Sequence, residues 1–198
     1  NRFPSPADAG TYKSLKIGVE TEITSSDSGP LVAYVWKPTA DPFVGKQTYF
    51  RVYSGVINSD TRVWNHDKGV EERLGTVSIP RGKDNIPVQV VHSGDIAVVP
   101  KLSETVTGNT LGDKGTPIIL PPAHYPNALY RVAVSPKTQA DSAKISTVLT
   151  RLCEEDMTLS WTMDPTTRQT VLQGMGDQHI DVAVRRASSK FQLNINIA

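Results

Sequence analysis

Residues 129–152 read LYRVAVSPKTQADSAKISTVLTRL, and the hydrophobic period changes once inside them. Leu129–Val134 is rich in strand formers. Thr138 followed by Asp141 then makes a capping-box-like helix start, with Asp141 in place of the usual Glu. Ile145, Val148, Leu149 and Leu152 fall at i, i+3, i+4 and i+7, which is one face of a helix. Beyond it, Leu159, Trp161 and Met163 alternate, and Asp164-Pro165 turns the chain into Gln169–Leu172, predicting a hairpin. A second helix opens near Gly176 and carries Ile180, Ala183, Val184 and Ala187 on one face. Leu193, Ile195 and Ile197 alternate in a closing strand. The order is β-α-β-β-α-β, which places two helices on one face of a four-stranded antiparallel sheet.

Upstream, the chain follows a different period. From Pro30 to Leu120, short runs of Val, Ile, Thr, Tyr and Phe are broken by Gly, Asn, Asp and Pro. Leu31–Trp36, Thr48–Ser54, Thr61–Trp64, Gly75–Ile79, Val88–Val91 and Ile96–Pro100 read as strands, and no segment sustains a helical period. Many short strands at such spacing predict a closed or nearly closed barrel, which removes exposed sheet edges. Pro121-Pro122 reads as the linker between the two halves. Phe3-Pro4-Ser5-Pro6 is extended and linker-like, and Lys13–Ser28 is polar with little periodicity, which leaves disorder and an irregular extra strand both open. The fold expected is therefore an all-β barrel over residues 30–121, after a lead-in at 1–29, and an α+β, ferredoxin-like split βαβ domain over 122–198.

Composition narrows the function. Hydrophobic residues make up 38% and charged residues 21%, as in an ordinary globular protein, and the formal net charge is +1. A charge near zero neither supports nor excludes a nucleic-acid partner, because a basic patch can sit on a neutral molecule. No apolar run approaches the ~20 residues of a membrane span, so no membrane partner is expected. A single cysteine, Cys153, rules out an internal disulfide and fits a reducing, cytoplasmic compartment. Asn1 and the last residues read as mid-protein sequence.

Four sets of residues invite a chemical reading. Ala40–Gln47 nearly spells a phosphate-binding loop, but Gln47 replaces the hydroxyl that would hold magnesium, and Thr48–Tyr53 are strand formers. Asp177-Gln178-His179-Ile180-Asp181 suggests metal ligands, yet on a helix His179 points roughly 200° away from Asp177, at ~100° per residue. Gly174-Met175-Gly176 permits backbone angles closed to other residues and could cradle phosphate or a partner loop; a tight strand-to-helix turn is the plainer alternative. Arg185, Arg186 and Lys190 form a cationic edge on the second helix, and Lys37, Lys46, Arg51, Arg62 and Lys83 are spread through the barrel. Such cations contact phosphates without reading sequence if they converge, and otherwise form a solvated surface. Tyr49, Phe50 and Tyr53 approach, without completing, the aromatic-plus-basic strand that stacks single-stranded bases. Gly-x-Ser-x-Gly is absent, and no Ser, Cys or Lys lies in a nucleophile motif, so no catalytic residue is assigned.

Several segments resemble elongation factor G. Leu31–Lys37, Asp41–Lys46 and Phe50–Gly55 resemble the opening of that family's domain II, with Gly94–Ala97 and Thr107–Leu111 resembling later strands and turns. Ala133–Asp141, Leu152–Asp156 and Leu172–Asp181 are similar to domain III, the last through its Gly-Met-Gly-x-x-His segment. Phe3–Pro6 resembles the linker after the G domain, and Ile195–Ile197 the last strand before domain IV. Two positions depart: Asp177-Gln178 stands where the family has Glu-Leu, and Asn109 where a barrel turn reads Thr-Gly-Asp-Thr. They point toward an elongation-factor-G-like paralogue, with a ribosome-protection protein or another translational GTPase as the alternative.

The resemblance implies a ribosome partner, chiefly small-subunit RNA and proteins, and contacts with a G domain and later domains of a longer parent chain. It implies that GTP and magnesium bind in that parent and no cofactor binds here. It makes Gly174, Met175, Gly176 and His179 packing and interdomain positions. A free-standing RNA-binding protein and an unrecognised small hydrolase are the alternatives from other classes.

Overall fold

The computed structural model describes residues 5–16, 19–41 and 44–197. Phe3-Pro4 of the linker-like segment and Pro42-Phe43 of the phosphate-loop-like segment lie outside them. The chain divides into two compact units, Asn1–Ala123 and His124–Ala198.

Among the described residues, the regular elements of the first unit are strands and one 3-10 turn, Pro6–Ala9. There Ser5 caps the turn and Asp8 Oδ2 accepts from its amide and hydroxyl, so the segment read as extended bends at Pro6. Its strands are β1 Thr11–Lys16, β2 Val19–Thr24, β3 Val32–Asp41, β4 Gly45–Ser54, β5 Ile57–Asn58, β6 Arg62–Asn65, β7 Val70–Arg73, β8 Val77–Arg81, β9 Asp84–Val88, β10 Val90–Val91, β11 Ile96–Pro100, β12 Thr110–Gly112 and β13 Ile118–Ile119. Eight of them form one antiparallel sheet in the order β7-β6-β12-β3-β4-β11-β8-β9. The pair β5–β10 bridges the two ends of that sheet. Ser59 stitches the bridge: its hydroxyl donates to Val88 O (2.7 Å) and accepts from Val77 N (2.9 Å). Val35, Phe50, Val52, Ile57, Val91, Val99 and Leu111, drawn from both the sheet and the bridge, share one buried core. A single core enclosed from all sides is what makes the sheet a barrel.

The barrel holds strands that the sequence did not mark, β5, β7, β12 and β13 among them, and one marked run and the lead-in take forms of their own. The run Val88–Val91 is two strands, because the chain leaves its β8 partner at Val88 and pairs with β5 from Val90. The polar lead-in is ordered as the hairpin β1–β2, which β13 extends to three strands. Ile23, Val32, Ile118 and Leu120 form a small core beneath it, against which Tyr12, Tyr34 and Tyr53 pack. Polarity hid the hairpin because its inward face is itself mixed, with Ser14 and Thr21 beside Tyr12 and Ile23.

A second buried network fixes the loop between β11 and β12. Glu72, 7% exposed, accepts from the amides of Ser103 and Glu104 and from the Thr105 hydroxyl (2.7 Å). Asn65 donates to Thr105 Oγ1 and to Asn109 Oδ1. Each of these buried groups finds a partner, which is the condition for such a network to stabilise.

The second unit contains β14 Tyr130–Pro136, α1 Gln139–Ser142, α2 Ile145–Glu155, β15 Ser160–Met163, β16 Thr170–Gly174, α3 Asp177–Phe191 and β17 Ile195–Ile197. Its sheet order is β15-β16-β14-β17, all antiparallel, which is the split βαβ arrangement. Val132, Val134 and Leu172 from the sheet meet Leu149 and Leu152 of α2 and Ile180, Ala183 and Ala187 of α3 in one core. The expected first helix is interrupted after Ser142, where Lys144 N bonds Asp141 O and the chain restarts at Ile145. Thr138 does cap α1: its hydroxyl accepts from Asp141 N and donates to Asp141 Oδ2 (2.7 Å). At the far end α3 stops on Gln192 in the left-handed region (φ 52°), whose neighbour Leu193 N reaches back to Ala187 O.

Phe50 is fully buried at the centre of the barrel core. Phe50→Ala is expected to cost about 3–5 kcal/mol, measured as a shift in the urea midpoint of the barrel's unfolding transition.

Candidate functional site

The Gly174-Met175-Gly176 segment joins β16 to α3, and its chemistry is set by His179 one turn into the helix. The Met175 amide donates to His179 Nδ1 (3.1 Å), which places the ring proton on Nε2. Nε2 then donates to Asp156 Oδ2 (3.0 Å), with both side chains mostly buried. Asp156 ends α2 and also accepts from the Thr158 amide and hydroxyl. Burial raises the Asp156 carboxyl, but the Thr158 hydroxyl and amide and the His179 bond together outweigh it and hold the group below the usual carboxylate range. The result is a strap tying the strand-to-helix turn to the C-terminal end of α2.

This geometry revises the reading of the glycines. Neither needs a left-handed angle: Gly176 is extended at φ −178°, and Gly174 is not among the positive-φ residues. Gly174 is there for space, since a Cβ would lie 3.0 Å from His179 Nδ1, 3.0 Å from Ile180 Cδ1 and 3.2 Å from Leu159 Cδ2. The Met175 amide, which a phosphate cradle would need, is spent on His179. Asp177 Oδ1 accepts from Gln178 N, and His179 faces Asp156, so Asp177, His179 and Asp181 do not converge. Met175 itself is 41% exposed. Cys153 is half-buried, and burial together with Asp156 and Glu154 pushes its thiol up to about 11, which makes it a poor nucleophile.

The cations separate into different environments. Arg185 and Arg186 are exposed on α3, whereas Lys190 turns inward and pairs with Glu155 (2.6 Å) across α2 and α3. Lys46 Nζ donates to Thr105 O (2.9 Å), helping hold the loop that Glu72 anchors. Arg62 pairs with Glu71 (2.7 Å) across the β6–β7 hairpin. Lys83 sits in the exposed turn of the β8–β9 hairpin. Gly45 opens a strand paired with β3, where a phosphate loop would open a helix.

Lys37 and Arg51, by contrast, share one sheet face. Lys37 is opposite Tyr49, and Arg51 is opposite both Tyr34 and Ile96. Since Phe50 and Val52 point into the core, Tyr49, Arg51 and Tyr53 point out. A bulge between Val35 and Lys37 adds Trp36 beside them, its ring 5.7 Å from that of Tyr49. The Arg51 guanidinium lies 5.3 Å from the centre of the Tyr53 ring, and Tyr12 meets Tyr53 edge-on at 4.7 Å. The aromatic and basic surface that the sequence only half suggested is completed by Tyr12, Tyr34 and Trp36. The period-two spacing of Tyr49, Arg51 and Tyr53 was its sequence signal.

A strand barrel followed by a split βαβ domain is the architecture to which two translation-factor domain families correspond. Residues 45–112 match the family described as Elongation factor Tu domain 2, and residues 125–198 match Elongation Factor G, domain III. A solved structure of a protein from Thermus thermophilus superposes with a TM-score of 0.78 at 29% identity, covering 86% of this chain and 26% of that one. The chain is elongation-factor-G-like and carries the counterparts of that family's domains II and III.

Two outcomes test the strap. Gly174→Ala is expected to destabilise the chain by about 1–3 kcal/mol through overpacking, while Gly176→Ala, with no atom within 4 Å of the new Cβ, leaves the melting temperature nearly unchanged. Because the folded-state carboxyl of Asp156 is lowered, its contribution to stability is present at neutral pH. It is lost as the pH falls below about 4 and through the folded value. Asp156→Asn therefore flattens the loss of stability in that acid window, read from denaturant midpoints at successive pH values.

Proposed function

We propose that the chain is the ribosome-binding and interdomain-coupling part of a translational GTPase of the elongation factor G kind. The observation that carries the reading is the succession, in one chain, of an elongation factor Tu domain 2 barrel and an elongation factor G domain III. The chain spans 26% of the Thermus relative, so most of such a protein lies in other domains. In this reading GTP and magnesium bind in a G domain of the parent, and this chain hydrolyses nothing itself. The barrel meets small-subunit RNA and proteins through its basic surface. The split βαβ domain passes the consequences of hydrolysis to the domains that move tRNA and mRNA, and the parent works in the cytoplasm.

Physical chemistry supports the coupling role. A part that transmits displacement must not deform, and the second unit is cross-braced by the His179–Asp156 strap and the Lys190–Glu155 pair. Both ties join elements distant in sequence, and both rest on largely buried groups, where water competes least.

Sedimentation of this chain with small ribosomal subunits is the direct test. Binding that weakens steeply with salt is expected, and no co-sedimentation at low salt would overturn the reading. Calorimetry with GTP and magnesium is expected to register no heat of binding; tight binding would overturn the assignment of nucleotide chemistry to another domain.

A further inference from the structure

The outer face of β3–β4 and the end of the barrel beside it hold an open cleft of about 330 Å³, lined by Tyr12, Tyr34, Tyr53, Leu120 and Pro121 among others. That is at the small end of ligand pockets, which run from about 300 to 1,000 Å³, so it suits one planar ring system. Lys13 is the cation in its lining, and Arg51 packs beside it with the guanidinium against Tyr53. Lys37 lies on the same sheet face two ladder positions away, and none of Tyr34, Trp36, Lys37, Tyr49, Arg51 and Tyr53 is acidic. Tyrosine rings with a cationic rim match the two faces of a nucleotide, since the base stacks on the rings and the phosphate meets the cations.

We propose that this cleft seats one unpaired base of a ribosomal RNA strand, with Arg51 and Lys37 holding the adjoining phosphates. The inference rests on the ribosomal reading above and names the surface that makes the contact. Arg51 supplies a cation beside the cleft, its guanidinium lying against the Tyr53 ring while Tyr12 meets that ring edge-on. A peptide would have to offer both an aromatic ring and an anionic group to satisfy the same surface. A nucleotide has both by construction.

The test uses this chain and a fluorescein-labelled hexa-adenylate RNA, followed by anisotropy, with a duplex of the same length as control. Saturable binding of the single strand in preference to the duplex is expected, together with shifts of tyrosine ring protons in the NMR spectrum of the unaltered chain. Tyr53→Leu is expected to weaken binding about tenfold or more, Tyr53→Phe to retain it, and Arg51→Gln to reduce the salt slope by about 0.7. Ring-proton shifts in the unaltered chain keep the test valid if Tyr53→Leu folds poorly. Equal binding of the duplex, no tyrosine shifts, or full binding by a folded Tyr53→Leu chain overturns the cleft even if small subunits still bind. If the hexamer binds through Tyr53 but small subunits do not, the ribosomal reading fails and takes this source of the base with it. Loss of small-subunit binding in Tyr53→Leu, with Tyr53→Phe unaffected, supports both.

Discussion

Burying Phe50 and Val52 commits the whole of β4, because side chains on a strand alternate between its two faces. Once those two residues enter the barrel core, Tyr49, Arg51 and Tyr53 have no alternative to the outer face. β4 lies between β3 and β11, so its register also decides what its neighbours present beside it, namely Tyr34 and Lys37 on one side and Ile96 and Val98 on the other. A slip by one residue would bury Arg51 and expose Phe50. The hydrophobic core therefore specifies the surface, and the candidate recognition face follows from packing inside the barrel.

The same logic operates in the second unit through close approach. The helix α3 can settle against β16 only because residue 174 has no side chain, and that proximity lets His179 reach both the Met175 amide and Asp156. A larger residue would push away Ile180, which is 1% exposed and central to that core. Packing and polar bonding thus reinforce one another at a single turn. The strap adds direction, because a histidine bonded at both ring nitrogens has one orientation and one tautomer.

The two units handle buried polarity alike. In the barrel, Glu72 gathers three donors from one loop, and Asn65 joins that loop to Asn109. In the split βαβ domain, Asp156 gathers three donors from Thr158 and His179. In each case a carboxylate replaces regular secondary structure as the organiser of a connection. Loops held this way keep their shape without a strand ladder, but they require every partner to be present.

In the second unit, local pattern was enough to determine the order of strands and helices. The period change between Leu129 and Leu152, the alternation in Leu193, Ile195 and Ile197, and the Asp164-Pro165 turn are all properties of neighbouring residues, and each maps onto an element of the fold. Glycine spacing also drew attention to residues 174–176, though it suggested backbone freedom where the cause is a lack of room. Tertiary structure alone decided that the polar lead-in forms the hairpin β1–β2, that Lys46, Arg62 and Lys190 are engaged while Lys37 and Arg51 share a face, and that His179 meets Asp156. The bonds that engage those side chains join residues 9 to 59 positions apart, and Tyr12 reaches Tyr53 from farther along the chain than any helix or strand repeat extends. Periodicity reports which face a side chain takes, whereas the identity of the group across from it is settled only when the chain closes on itself.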